Sequence, residues 1–395
     1  MTQSTSPATS KAQDAPNAQG TPSAGDTPNE LRRTALYDEH VALGARIVPF
    51  GGFEMPVQYA GILREHEAVR RRAGLFDLSH MAQYELRGPG VAAWADALTV
   101  NAVASMKHGQ ARYNIFTNER GGCKDDVLFY RLADERFLLV VNAGNAAKMW
   151  PYLQQAAAGR SGVHLESHHG SRALIAVQGP RAVEFVAPLC NLDAAALKYY
   201  FCAEGTVDGV RALIARTGYT GEDGFELFVD GVDAPNLWQT LLERGKSVGL
   251  EPAGLGARDM LRLEAGMPLY GLELSEEISP LAGGQGWAVK LDKPAFLGKD
   301  VLVAQRNADE FERIAGVALA GKVPARTGYP VFSAGERVGE VRSASFAPSY
   351  GNRQIATVLV NKGAHYPGTT LHIEVRGALH EATVVKLPFY KRPSG

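Results

Sequence analysis

GYTGEDGFE, residues 218–226, sets three glycines at intervals of three among three carboxylates. Glycines permit positive φ and close backbone approach, which is how phosphate loops begin. No Lys-Ser or Lys-Thr follows, however, and Glu222, Asp223 and Glu226 would repel a phosphate. The acids also lack the alternating spacing and sixth-position glycine of a calcium loop. The turn runs directly into Gly224-Phe225-Glu226-Leu227-Phe228-Val229, whose alternation puts Phe225, Leu227 and Val229 on one face of a strand and Glu226 with Phe228 on the other. Glu226 is then the first carboxylate on a rigid element. Such a group matches a ligand that offers two adjacent N–H donors, as an aminopyrimidinone ring does. A glycine-rich hairpin with solvated acids accounts for the same residues.

Outward from this turn the alternation recurs. MAQYELRG, ARYNIFTN, DDVLFYRL and RFLLVVN are short strands separated by turn residues, and they predict antiparallel hairpins. RALIAVQG, RALIARTG and GFELFV add strands further on. Helical spacing marks LRRTALYDEHVALGARIVPFGG from Leu31, ILREHEAVRRRAG ending at Gly74, NAAKMWPYLQQAAA at 145–158, the stretch after Gly179-Pro180, APNLWQTLLERGKSVG at 234–249 and LGARDMLRLEAG at 255–266. Without a steady βαβ alternation the expected class is α+β rather than doubly wound. After about residue 305 nearly every segment reads as strand. A separate small β-barrel or sandwich is therefore expected over 305–395, after an α+β core over 30–304.

The chain has 395 residues, enough for more than one core, and 41 basic against 42 acidic residues give no global bias toward nucleic acid or anionic membrane. Cys123, Cys190 and Cys202 are scattered and odd in number, which suits a reducing compartment and forms no zinc pattern. Apolar runs such as FLLVV at 137–141 are strand length, far short of the ~20 residues of a membrane helix. Residues 1–29 are Ala, Ser, Thr, Pro, Gln and Gly with almost no large apolar side chains, so a disordered tail is expected. The tail carries acids but no Arg before Arg32 and no apolar signal stretch, and the expected location is cytoplasmic.

Two further stretches bear on chemistry. In NERGGCKDDVLFY, 118–130, Asp125 and Asp126 stand at the start of a strongly apolar strand, an unfavourable place for two charges. Adjacent strand residues point to opposite faces, so at most one faces a pocket, where it could orient an amine or accept its proton. Acids capping the hairpin turn are the plain alternative. In GLGARDMLRLEAG, 254–266, Arg258 and Arg262 share a helix face that could meet an anion, or else pair internally with neighbouring acids. REHEAVRRR lacks the second histidine of a zinc-protease helix, and its basic face reads as solvated surface. HHG at 168–170 reads as a loop. No GxSxG, Walker or GxGxxG sequence occurs.

Taken together, LFDLSHM (75–81), NERGGCKDD (118–126), VNAGN (141–145), VQGP (177–180), RTGYTGEDGFE (216–226) and ARDMLRLEAGMPLYG (257–271) resemble, in order and spacing, the folate-binding T-protein family, the aminomethyltransferases of the glycine cleavage system. The resemblance runs from about Leu31 to Phe389. It implies three lobes around a central folate cavity and a C-terminal barrel. Residue by residue, it implies that Glu226 receives the pterin, with the glycine turn letting the ring come close, and that Asp126 is the family's essential aspartate beside the folate amines. Arg258 matches a folate-site arginine; Tyr113, Met81, Val140, Asn142, Tyr200 and Tyr219 match positions lining the pocket. Some members lay a tyrosine from an extended tail over the folate; this chain ends LPFYKRPSG, leaving Tyr390 as the candidate substitute.

The activity so implied is transfer of a methylene carbon from the aminomethyl-dihydrolipoyl group of the H-protein to tetrahydrofolate as co-substrate, with ammonia released. No metal or flavin is required, and Cys123 is expected to be dispensable. For docking the H-protein, Arg70, Arg71, Arg72 and Lys386 are candidates set against solvated surface. The same fold ends dimethylglycine and sarcosine dehydrogenases, but no FAD fingerprint precedes Leu31. A folate-binding relative acting in iron–sulfur cluster assembly is the alternative; its cysteine motif has no counterpart between Gly271 and Trp287. A purely structural interaction protein would not need Asp126 and Glu226 to face one cavity.

Overall fold

The computed structural model describes residues 31–393, so the expectation for the 1–29 tail lies outside the described residues. The chain opens with α1 (Tyr37–Ala42), the hairpin β1 (Arg46–Phe50) and β2 (Phe53–Gln58), then α2 (Ile62–Arg71) and β3 (Ala73–Asp77). It continues through β4 (Ala82–Arg87), α3 (Val91–Leu98), β5 (Ala111–Thr117), β6 (Cys123–Ala133), β7 (Arg136–Val141), α4 (Ala146–Ala157) and β8 (His164–Ser167). There follow β9 (Arg172–Gln178), α5 (Ala182–Val186), β10 (Cys202–Val207), β11 (Val210–Ala215), β12 (Gly224–Asp230), α6 (Ala234–Gly245), β13 (Leu250–Pro252) and α7 (Leu255–Glu264). Last come α8 (Lys299–Ala308) and β14 (Arg313–Leu319), β15 (Pro330–Ser333), β16 (Glu336–Ala347), β17 (Arg353–Val360), β18 (Thr370–Val375) and β19 (Ala378–Val385).

The α+β expectation holds, and the C-terminal strands close into a six-stranded barrel in the order β14-β17-β16-β15-β18-β19. Two sheets form the rest: a six-stranded one in the order β10-β11-β12-β9-β3-β13 and a five-stranded one in the order β5-β6-β7-β4-β8. The chain leaves the first sheet after β3 and returns at β9, so the two are interleaved. Only β13 runs parallel to its neighbour; the other pairings in these two sheets are antiparallel.

Strand alternation decides which layer each side chain joins. On β12, Phe225, Leu227 and Val229 enter a core with Leu237, Trp238 and Leu241 of α6. On β6, Val127 and Phe129 enter a second core with Trp94, Met149 and Leu153 from α3 and α4. The opposite faces of both strands meet in a shared layer that contains Tyr130, Phe228, Leu138, Val140, Leu174 and Leu261. Here lie the positions that pattern reading assigned to Glu226 and Asp126.

Two helix expectations need correction. The stretch from Leu31 to Gly52 is helical only over α1, and Arg46–Phe50 is a strand. Pro49 cannot serve a helix interior, and Ile47 and Val48 favour the extended chain. The second helix stops at Arg71, and Gly74 lies within β3. Pattern reading also passed over α3, β10 and α8. No helix among the described residues is long and apolar enough to cross a membrane.

The glycines of the 218–226 turn serve packing. A Cβ at Gly218 would stand 1.9 Å from Gln178 Oε1, and one at Gly224 only 2.2 Å from the Val177 carbonyl oxygen. Backbone cannot yield as a flexible side-chain tip can. Gly224→Ala is therefore expected to lower unfolding free energy by about 2 kcal/mol or more, read as a fall in thermal midpoint. Gly144→Ala, with nothing within 4 Å of the added Cβ, should leave the midpoint unchanged; equal effects of the two would contradict the packing role.

Candidate active site

Glu226 emerges from β12 into the shared layer and is 6% exposed. Its Oε2 accepts hydrogen bonds from Tyr130 Oη at 3.1 Å and from the Thr217 hydroxyl. Oε1 takes no hydrogen bond from the described residues. The Tyr130 ring stands edge-on to Phe228 at 5.3 Å, so the residue that holds the carboxylate is itself wedged between the sheets. Burial raises the Tyr130 pKa, and the charge of Glu226 raises it further, keeping the phenol a donor.

The other acids of the turn are not solvated. Glu222 pairs with Arg70 at 2.9 Å and Asp223 with Arg216 at 2.7 Å. The close approach permitted by the glycines is made to Gln178, whose Nε2 donates to Thr217 O at 3.0 Å and whose Oε1 accepts from Thr220 Oγ1 at 3.0 Å.

Asp125 and Asp126 diverge as adjacent strand residues must. Both lie within the ladder, opposite Phe116 and Ile115, rather than capping the turn. Asp125 is fully buried and accepts from Asn145 Nδ2 at 2.6 Å and Asn142 Nδ2 at 2.8 Å. Asp126 is half-buried on the shared-layer face and accepts from Tyr113 Oη at 3.1 Å and from Asn142 Nδ2 at 2.8 Å. Asn142 therefore bridges both acids. Burial raises both carboxyl pKa values above the ordinary range; the charge of Asp126 adds to the rise at Asp125, and the donors from Tyr113 and Asn142 oppose it at Asp126.

Helix α7 separates its two arginines. Arg262 is 1% exposed and spends its donors on Asp259 at 2.8 Å, Glu273 at 3.2 Å and Ser343 at 2.9 Å. Arg258 has no hydrogen-bond acceptor among the described residues; its guanidinium lies 4.6 Å from the Tyr219 ring centre. Burial lowers its pKa, and Tyr219 and Glu226 oppose the fall. The Tyr219 hydroxyl donates to Pro268 O. His80, next to Met81, is buried with Nδ1 unpartnered, and burial followed by the Arg258 charge pushes it down to about 3.

Met81, Val140 and Tyr200 all border the shared layer. Tyr200 takes a positive φ of 63°, rare for a tyrosine, and its backbone ties the sheets: Ala111 N donates to its carbonyl at 2.8 Å, and its own N–H donates to Arg216 O at 2.9 Å. Cys123 is fully buried in an apolar cluster with Leu274 and Phe296, and burial raises its thiol pKa. Tyr390 packs under the Arg70 guanidinium at 3.9 Å. Two surface hollows, bordered by Arg87 and Arg136 and by Asp208 and Arg244, contain none of these residues.

Pattern reading missed Tyr130, Thr217, Asn145 and Trp287. Tyr130 was within reach, because it lies four residues after Asp126 and so on the same strand face. Trp287, 61% exposed, stacks on Tyr113 at 5.5 Å across a long loop that no spacing connects. The solvated reading of REHEAVRRR holds only in part: Arg64 and Arg71 are exposed, at 65% and 73%, whereas Glu65, His66 and the Arg70 side chain are buried.

Buried Glu226 on β12 and half-buried Asp126 on β6 thus face the shared layer, together with Arg258, whose donors have no acceptor among the described residues, and Tyr113, Tyr200 and Tyr219. The GCVT N-terminal domain model matches residues 36–293, and the glycine cleavage T-protein C-terminal barrel domain model matches 313–391. The aminomethyltransferase of Moorella thermoacetica is 45% identical over 364 residues, covering 92% of this chain and 99% of that protein. That of Desulfitobacterium hafniense is 44% identical over 363 residues, with 92% and 99% covered. The crystal structure of the glycine cleavage system aminomethyltransferase T from Bartonella henselae superposes with a TM-score of 0.85 at 34% identity, covering 92% of this chain and 99% of that one. The chain belongs to the glycine cleavage T-protein family.

The raised carboxyl pKa values carry a signed consequence. An acid whose folded pKa exceeds its unfolded one stabilises the fold below the unfolded pKa of about 4, and that contribution is lost as pH rises through the folded value. The thermal midpoint should fall across that window, and fall less in Asp126→Asn. Parallel midpoint curves for the two proteins would contradict the assignment.

Proposed function

We propose that the protein is the tetrahydrofolate-dependent aminomethyltransferase of the glycine cleavage system. It takes the aminomethyl group carried on the dihydrolipoyl sulfur of the H-protein and passes the methylene carbon to tetrahydrofolate. The carbon–sulfur bond and the carbon–nitrogen bond to the leaving ammonia break, and two bonds form to the folate N5 and N10. The two folate N–H protons balance the thiol and ammonia, so the exchange is redox-neutral. The end-to-end match to aminomethyltransferases carries this reading. The iron–sulfur alternative is not favoured.

In this reading Glu226 presents its uncommitted Oε1 to the paired N–H donors of the pterin, while Tyr130 and Thr217 hold the other oxygen. Asp126 faces the folate amines and takes a proton from one of them, its raised pKa suiting it to a base near neutrality. Asn142 and Tyr113 orient it. Arg258 offers its free donors to the ligand, and Met81, Val140, Tyr200 and Tyr219 line the bed on which it rests. Much of the catalysis is positioning of two large substrates. We place the reaction in the cytoplasm, with domain limits at 30–304 and 305–395 and α8 as the connection.

The test is ammonia release from an aminomethyl-loaded lipoyl carrier, with and without tetrahydrofolate. Asp126→Asn is expected to lower kcat by about 100-fold or more, and Glu226→Gln to raise the folate KM by about 10- to 100-fold through loss of a charge-assisted hydrogen bond. Folate-independent release in the wild type would sink the reading. Cys123→Ala should keep kcat within about twofold, since the thiol is fully buried in the apolar cluster with Leu274 and Phe296; a loss of turnover in a normally folded variant would give the sulfur a role in the reaction.

A further inference from the structure

The C-terminal turn of α2 carries Arg70, a side chain only 7% exposed yet fully engaged. Nη1 donates to Thr220 O at 2.7 Å and Glu222 Oε1 at 2.9 Å, both in the 218–226 turn. Nη2 donates to Leu261 O at 3.2 Å and Glu264 Oε2 at 2.9 Å on α7. Nε reaches Glu264 Oε2 and Ser349 Oγ, each at 3.1 Å, and Ser349 follows the barrel strand β16. The guanidinium face lies over Tyr390, whose own N–H donates to Glu264 O at 2.7 Å. One planar cation thus joins four segments that are distant in sequence.

We propose that Arg70 is a positioning residue for the folate site, locking the turn that leads into Glu226 against the helix that carries Arg258. The proposal rests on the aminomethyltransferase reading. Arg70 hydrogen-bonds neither Glu226, Arg258 nor Asp126, so it acts through the elements it joins. Geometry singles it out, because the turn supplies Tyr219 and Glu226, α7 supplies Arg258, and the Arg70 fork makes two hydrogen bonds to the turn through Nη1 and three to α7 through Nη2 and Nε. A lysine has a single charged point and cannot span both. Without the fork, Glu222 would lose its one cation among the described residues, and Glu264 would keep His66 at 2.8 Å and the Ser349 N–H at 2.9 Å but no guanidinium. A buried carboxylate without its cation turns toward water, which would carry the turn away from α7. The same contacts exclude Arg70 from docking the H-protein, leaving Arg71, paired with Glu67 at 3.3 Å, as the most exposed member of that triplet. They also hold Tyr390 on the turn, as a strap over it.

The measurement is tetrahydrofolate binding by titration, together with steady-state KM for folate and for the loaded carrier, on wild type, Arg70→Lys and Arg70→Gln. The expected result is a weakening of folate binding by at least about tenfold, with the carrier KM and kcat at saturating folate changed by less than about threefold. Glu222→Gln, which loosens one arm only, should give a smaller loss of the same kind and serves if the Arg70 variants fail to fold. Unchanged folate affinity in folded variants, or equal damage to both KM values, would overturn the positioning role while leaving the enzyme assignment intact. Wild-type protein that releases no ammonia would remove the assignment itself, and the proposal with it.

Discussion

The hydrogen bond from Tyr130 to Glu226 crosses from one sheet to the other, and the rest of the site is arranged around it. Tyr130 belongs to β6 and Glu226 to β12, and their rings and carboxylate meet in the layer that both sheets bury. A carboxylate in such a layer is costly unless held, and two hydroxyl donors on one oxygen hold it while leaving the second oxygen uncommitted. Asp126 lies on the same face of β6 as Tyr130. Strand rise puts their Cα atoms about 13 Å apart.

Helix α7 shows how the chain separates structural charge from available charge. Arg262 and Arg258 are one turn apart, yet Arg262 is enclosed by Asp259, Glu273 and Ser343, and Glu273 in turn accepts from Leu269 N at 2.9 Å and from the Thr357 hydroxyl on the barrel. Breaking one member of a buried pair costs about 3–5 kcal/mol, so Arg262 ties the helix to the barrel. With the helix fixed, Arg258 needs no acid of its own. It rests on the Tyr219 ring with its donors unspent.

Much of the fold was legible because alternation reports burial directly. β12 was visible as a period-two run and β7 and β9 as short apolar runs bounded by turns, while the density of short strands after about residue 305 pointed to a barrel or a sandwich, of which the barrel is found. The failures came where one apolar pattern serves two structures. Ile47 and Val48 fit a helix stripe as well as a strand, and only the cost of Pro49 decides between them. At the site, Glu226 and Asp126 could be singled out as carboxylates in apolar strands, but their holders could not all be. Thr217 and Asn145 reach their acids through turns, and Trp287 meets Tyr113 from a loop 174 positions later in the chain. The burial of Arg70 was hidden for a related reason: its acceptors come from three other segments, and a basic run looks solvated until they are known.

The neighbouring aspartates show why a doublet of acids need not be a catalytic dyad. A dyad shares a proton between carboxyl groups that face each other. Here strand geometry sends the two groups to opposite faces, where Asn145 holds one, Tyr113 holds the other, and Asn142 touches both. Asp125 is sealed, so its influence on the open face passes through charge and through the shared amide of Asn142.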